Sequence, residues 1–285
     1  MPTTLLNGDF SMLQTNFGKL STRLDKPIKI DMAQLETEQG ENLSLDDKLF
    51  ALISPFHFTS TDPLRELMRN TGMVISGSTA LALTTQNNDF FPNDIDLYVL
   101  PPGFPAVLQY VEDHGYKIEP SSRATANYYH QNIIIVKLTH PVSHKTVNVM
   151  SNLDSHVVKC ITRFHSTVVM NYVSWFGLVV LYPEWTLQKR GLLLANTSTS
   201  NDIITKYVNR GYSLHRNIFD IGAPNQHRCG IDPYCPSTTR SLHDSHCFIE
   251  LFEPAQDNFT TIQRDMTWTL PVPCSFDAIA PTARN

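Results

Sequence analysis

The sequence predicts an α/β (α+β) fold in which helices flank a mixed sheet, followed by an irregular C-terminal tail. Three observations predict it. The apolar, β-branched run Met73-Val74-Ile75-Ser76 leads at once into Gly77-Ser78 and the helix-forming stretch Thr79-Ala80-Leu81-Ala82-Leu83, which reads as strand, tight turn and helix. In Asp94-Ile95-Asp96-Leu97-Tyr98-Val99 apolar residues alternate with polar ones, the period of a half-buried strand. Past Asn196 the chain turns polar, gives one helical stretch and ends in a Cys, His, Pro and aromatic-rich segment. With 285 residues, 41% of them hydrophobic and 10% aromatic, the chain can bury a substantial core.

Residues 1–45 are polar with little periodicity and are expected to form a flexible N-terminal arm. Residues 46–195 carry the elements of the α/β domain, and residues 196–285 a helix plus the Cys/His-rich segment. Apolar content rises from Leu49 to Phe56. Leu64, Leu67 and Met68 then recur at helical spacing between Pro63, which suits a first turn, and Gly72, which suits a left-handed stop. After Asp94–Val99, Pro101-Pro102 ends the strand. Phe104 to His114 has Val107, Leu108 and Val111 on one helical face and Gly115 as its stop. Ile133–Leu138 and Thr146–Met150 read as two strands of a hairpin around a turn-rich loop. Val158, Ile161, Phe164, Val168 and Val169 recur at helical intervals, so a helix is expected within 155–172; Leu178–Leu181 and Leu187–Leu194 add core, and Asp202–Asn209 is a further helix.

In a strand, residues two apart point to the same side, so Asp94 and Asp96 share a face with their oxygens close enough to hold one divalent ion. Their mutual repulsion needs a positive partner, and Mg²⁺, which takes oxygen ligands and bridges to phosphates, suits the role. Gly77-Ser78, opening a helix, offers backbone N–H groups and the positive end of the helix dipole to phosphate.

The segment Ser76-Gly77-Ser78-Thr79-Ala80-Leu81, a loop, and Asp94-Ile95-Asp96-Leu97-Tyr98 together resemble the signature of the nucleotidyltransferase superfamily. Phe164-His165-Ser166-Thr167-Val168-Val169-Met170-Asn171 and Leu181-Tyr182-Pro183 further resemble a group of largely uncharacterised fungal proteins of this fold, over about residues 70 to 190. The resemblance implies a nucleotidyltransferase-like sheet, Mg²⁺ on Asp94 and Asp96, nucleotide phosphates on Gly77 and Ser78, and transfer of a nucleoside monophosphate from a nucleoside triphosphate to an acceptor it does not specify. Active members carry a third carboxylate on a later strand. Here the matching segment is Val147-Asn148-Val149, and Asn148 is a weak, uncharged metal ligand that cannot act as a general base near neutral pH. Asp154 lies close by, outside the strand pattern. Three readings therefore stand side by side: an active transferase, a degenerate member that binds a nucleotide or a protein partner without chemistry, and a zinc-stabilised interaction protein that merely inherited the fold.

Among other candidates, Lys137, Lys145, Lys159, Arg163, Lys189 and Arg190 are cations for phosphate or, more simply, solvated surface residues. His165 fits a buried, hydrogen-bonded histidine better than a substrate ligand, and Met170, Trp175, Phe176 and Trp185 are packing residues. Cys229, Cys235, His243 and Cys247 have the elements of a structural Zn²⁺ site that would tether the tail. The 5 cysteines, without a secretory leader, point to free thiols and not a disulfide framework. Net charge is −5, from 22 Lys and Arg against 27 Asp and Glu, which argues against generic nucleic-acid binding. No apolar run is long enough to span a bilayer, so no membrane partner and an intracellular, cytoplasmic location are expected.

Overall fold

The computed structural model describes residues 43–84, 90–120, 124–128, 131–152, 156–194, 201–221, 228–253, 266–272 and 274. Most of the expected N-terminal arm lies outside these residues, as does Asp154. The chain is a mixed α/β protein organised on one nine-stranded sheet.

Two helices lead into the sheet. In α1 (Leu45–Ile53) the Ser44 side chain accepts from the Asp47 amide. In α2 (Thr61–Thr71) Ser60 does the same for Asp62, and Gly72 at φ 68° provides the left-handed stop. Each cap satisfies a backbone group that the helix itself leaves unpaired. Strand β1 (Val74–Ser76) then passes directly into α3 (Gly77–Thr84). Strand β2 (Asp94–Val99) is followed by a 3₁₀ turn at Pro101–Gly103 and by α4 (Phe104–Asp113). Gly103 abuts the side chains of Val99 and Thr71, so these helical segments cover the Val99 face of β2.

Strands β3 (Lys117–Ile118), β4 (Ala124–Tyr128), β5 (Gln131–Thr139) and β6 (Thr146–Asn152) follow, β5 and β6 forming the expected antiparallel hairpin. Within 156–172 the expected helix is absent beyond a single turn. The chain instead makes a single turn α5 (Val158–Ile161), a 3₁₀ turn at Thr167–Val169, strands β7 (Asn171–Ser174) and β8 (Gly177–Val180), and α6 (Pro183–Thr186). The reason is burial on every side. From Phe164 to Tyr182 every residue is buried, so no polar face exists to mark a period. Ser166, extended at φ −153° and ψ 156°, bridges to Leu193 and interrupts any helix.

After β9 (Arg190–Leu192), helix α7 (Asn201–Asn209) and β10 (Ser213–His215), β9 and β10 pair in parallel. The C-terminal segment adds β11 (Arg240–Ser241), β12 (Phe248–Leu251) and β13 (Thr267–Trp268). The main sheet runs β12-β8-β7-β1-β2-β6-β5-β3, with β4 also pairing to β5. Among the described residues of this sheet only the β2–β6 pair is parallel, with α4 in its crossover; the remaining pairs are antiparallel. Because β12 pairs with β8, the segment after residue 196 contributes an edge strand to the sheet. Arg240, 3% exposed, docks the same segment by bonding Asp244 and the Leu181 carbonyl, while the Trp268 indole N–H donates to the Tyr182 hydroxyl at 2.9 Å. No helix among the described residues is long and apolar enough to cross a membrane.

Candidate functional site

Alternation along β2 sorts its side chains. Ile95, Leu97 and Val99 are fully buried, which sends Asp94, Asp96 and Tyr98 to the opposite face, where all three line a cleft of about 300 Å³. The parallel neighbour β6 sets Asn148 opposite Asp96 and Met150 opposite Tyr98, and β5 adds Ile135 opposite Met150. Gly77 and Ser78 line the same cleft, because β1 pairs Ser76 with Asp96 and the chain turns at the next residue. The residues that the sequence assigned to metal and phosphate therefore converge.

Gly77 has two reasons to be glycine. Its φ of 67° lies in the left-handed region, and a Cβ there would run into the Asp96 carboxylate. The turn thus brings the first turn of α3 directly against the acid pair. Thr79 holds that register by donating from its hydroxyl to the Asp94 carbonyl at 3.3 Å.

The carboxylates point at one amide group. Asn148 Nδ2 donates to Asp96 Oδ1 at 2.9 Å and to Asp94 Oδ2 at 3.4 Å. It relieves part of the repulsion between the acids. Burial, and then the neighbouring Asp94, push the Asp96 carboxyl up to about 7; the Asn148 bond and Lys206 oppose the rise without cancelling it. A buried carboxyl that resists ionisation beside a second acid is short of positive charge. An exchange of Oδ1 for Nδ2 by rotation of the Asn148 amide would convert the same residue into a third oxygen ligand. Asp94, Asp96 and Asn148 then form a set of hard oxygen donors suited to Mg²⁺.

Helix α7 also lines the cleft, and here sequence reasoning gave a helix but no functional residue. Ile203, Lys206 and Tyr207 line the cleft. Just past the helix, Arg210 donates to Ser78 Oγ at 3.0 Å, and its guanidinium lies 3.8 Å from the Phe90 ring centroid. Lys206 and Arg210 are four apart, a helical spacing that groups the two cations, but nothing in that spacing points to Ser78. His165 is buried as expected, 5.2 Å from the Tyr207 ring, yet it also lines the cleft. Burial, then Lys206, hold its imidazole down to about 4, so it is neutral near pH 7.

The other expected cations are elsewhere. Lys137 pairs with Glu119 at 3.0 Å, Lys145 lies 4.9 Å from the Phe56 ring centroid, and Arg190 donates to the Ile221 carbonyl at 3.2 Å. None of the six lines the cleft. Met170, Trp175, Phe176 and Trp185 are buried, in keeping with their packing role.

The thiol set differs from the one expected. Cys229 and Cys235 do come together, but with Cys274 in place of His243 and Cys247; the three Sγ atoms lie within 4.8 Å of one another. Cys247 is held away in the interior, its sulfur 3.6 Å from Arg240 Nη2 and 3.9 Å from the Leu181 carbonyl, and burial pushes its thiol up. His243 is exposed. The five cysteines carry no disulfide.

Comparison with protein-family models gives no match, and no curated protein or solved structure matches the chain significantly.

Proposed function

We propose that this chain is a nucleotidyltransferase-like protein that binds a nucleoside triphosphate with Mg²⁺ and transfers the nucleoside monophosphate to an acceptor hydroxyl or phosphate. One observation carries the reading: two carboxylates, a glycine-serine helix start and Lys206 line one cleft, and Arg210 donates to the Ser78 hydroxyl of that helix start. A metal–phosphate ligand is the chemistry that satisfies the acids and the cations at once.

Asp94 and Asp96 would hold Mg²⁺, with the Asn148 amide oxygen as a weak third ligand. The ion would supply charge to the phosphates and orient the α-phosphorus. The Gly77 and Ser78 amides would cradle the triphosphate, and Arg210 would leave the Ser78 hydroxyl for a phosphate oxygen, a stronger acceptor. Lys206, exposed at the cleft rim, would neutralise the remaining charge. In the transfer the acceptor oxygen forms a bond to the α-phosphorus while a hydroxyl acceptor gives its proton to solvent, the bond from that phosphorus to the bridging oxygen breaks, and pyrophosphate leaves with the electron pair.

Asn148 favours a second reading, in which the site binds the nucleotide but does not turn it over. Replacing a third carboxylate by an amide removes one negative charge from the metal set and leaves no base at that position. Pyrophosphate release from ATP, CTP, GTP and UTP with Mg²⁺, compared between wild type and Asp94→Ala, separates the two. Release that disappears in Asp94→Ala supports transfer. Aspartate-dependent binding without release supports the second reading, and neither binding nor release defeats both.

A further inference from the structure

We propose that Cys229, Cys235 and Cys274 form a Zn²⁺ site that clamps the C-terminal segment. The three sulfurs converge within 4.8 Å of one another, and Cys229 and Cys274 stand 3.6 Å apart. That spacing is far longer than a disulfide bond of about 2.05 Å. It matches the edge of a tetrahedron about a metal with Zn–S of about 2.3 Å, which places its sulfurs roughly 3.8 Å apart. Three thiolates are soft ligands and select Zn²⁺ over Mg²⁺.

Two features of the surroundings favour a metal over three packed thiols. The Gly230 amide donates to Cys235 Sγ at 3.4 Å, an arrangement that stabilises a sulfur carrying negative charge. Among its described residues, the part of the segment around the thiols also has little regular structure. The ladder of β11 and β13 has two residue pairs, Arg240 with Trp268 and Ser241 with Thr267, beside single backbone bonds such as Leu270 N–H to the Pro236 carbonyl at 3.1 Å. So short a ladder is marginal alone. An ion shared by the 229–235 turn and residue 274 cross-links the two ends of this segment. Its role is structural and independent of the nucleotide cleft. Among the described residues the three sulfurs supply three corners of the tetrahedron.

The test is metal analysis of the purified full-length chain with Cys229→Ser, Cys235→Ser and Cys274→Ser, and with Cys247→Ser and Cys160→Ser as controls outside the cluster. Wild type and both controls are expected to carry about one zinc per chain, and each cluster variant to lose it. Exposed Cys229 is the variant least prone to misfold, and Co²⁺ titration of chelator-treated wild type, read by thiolate-to-cobalt charge-transfer absorption, gives an answer that needs no variant. A wild type without zinc and without a Co²⁺–thiolate spectrum overturns the proposal. So does zinc that survives Cys274→Ser but is lost in Cys247→Ser, or a Cys229–Cys274 disulfide in the purified protein.

Discussion

Asp96→Asn removes one of the two facing charges while keeping an oxygen that can accept from Asn148 Nδ2, as Asp96 Oδ1 does at 2.9 Å. In the folded protein burial and Asp94 raise the Asp96 pKa from the ordinary 3.8 to about 7. The folded state therefore holds this proton more tightly than the unfolded chain. Its stabilising effect is complete below the unfolded value near 3.8 and is lost as pH rises through the folded value near 7. At about 1.4 kcal/mol per pH unit the full loss is about 4 kcal/mol, and solvent entering the open cleft reduces it to about 2 kcal/mol. A domain of this size shifts its Tm by roughly 2–4 °C per kcal/mol, so the asparagine variant should melt about 4–8 °C higher at pH 8 in a chelator. The gap should shrink steadily toward pH 4. Thermal unfolding of both proteins across pH 4 to 8, with and without Mg²⁺, is the assay. Added Mg²⁺ at about ten times its Kd should return about 1.4 kcal/mol to wild type and much less to the variant. A variant that is less stable than wild type at pH 8, or a gap that does not change with pH, would refute the reasoning.

Three further substitutions test other parts of the site. Gly77→Ala combines a left-handed backbone with a Cβ driven into the Asp96 carboxylate, and should cost about 2–3 kcal/mol in denaturant unfolding together with nucleotide binding; a loss under about 0.5 kcal/mol contradicts the geometry. Asn148→Asp puts a third carboxylate opposite Asp96, so Mn²⁺ affinity measured by titration should rise by about tenfold or more while the metal-free protein loses stability; unchanged affinity would remove Asn148 from the metal set. Arg210→Ala deletes the hydrogen bond to Ser78 and the stacking on Phe90, and should weaken nucleotide binding by about tenfold with Mn²⁺ affinity unaltered; equal loss of both would assign Arg210 to the fold and not to the ligand.

Local chemistry made much of this legible in advance. Asp94 to Val99 declared both its strand and its cleft face through period-two alternation, and Gly72 ended α2 as a left-handed glycine should. Gly77-Ser78 and the acids were readable because both sides of the motif lie within one strand-helix-strand unit. What failed lacked a local signal. The stretch from Phe164 to Tyr182 is buried all round, so its apolar residues carried no directional pattern, and helical spacing there was coincidental. Arg210 meets Ser78 across 132 residues of sequence, and no pattern within α7 announces that partner. Cys274 displaced Cys247 from the thiol group for a related reason. The nearer cysteine in sequence is turned inward against Arg240, while β11–β13 pairing brings the distant one back to Cys229.

The central claim is that Asp94 and Asp96 bind a metal that in turn holds a nucleoside triphosphate. Isothermal titration of wild type, Asp94→Ala and Asp96→Ala with each of the four triphosphates, in Mg²⁺ and in chelator, tests it most directly. The account predicts saturable binding of at least one triphosphate by wild type in Mg²⁺, abolished by chelator and by either alanine. Binding that persists in chelator or in Asp94→Ala, or the absence of binding to every triphosphate in Mg²⁺, would contradict it.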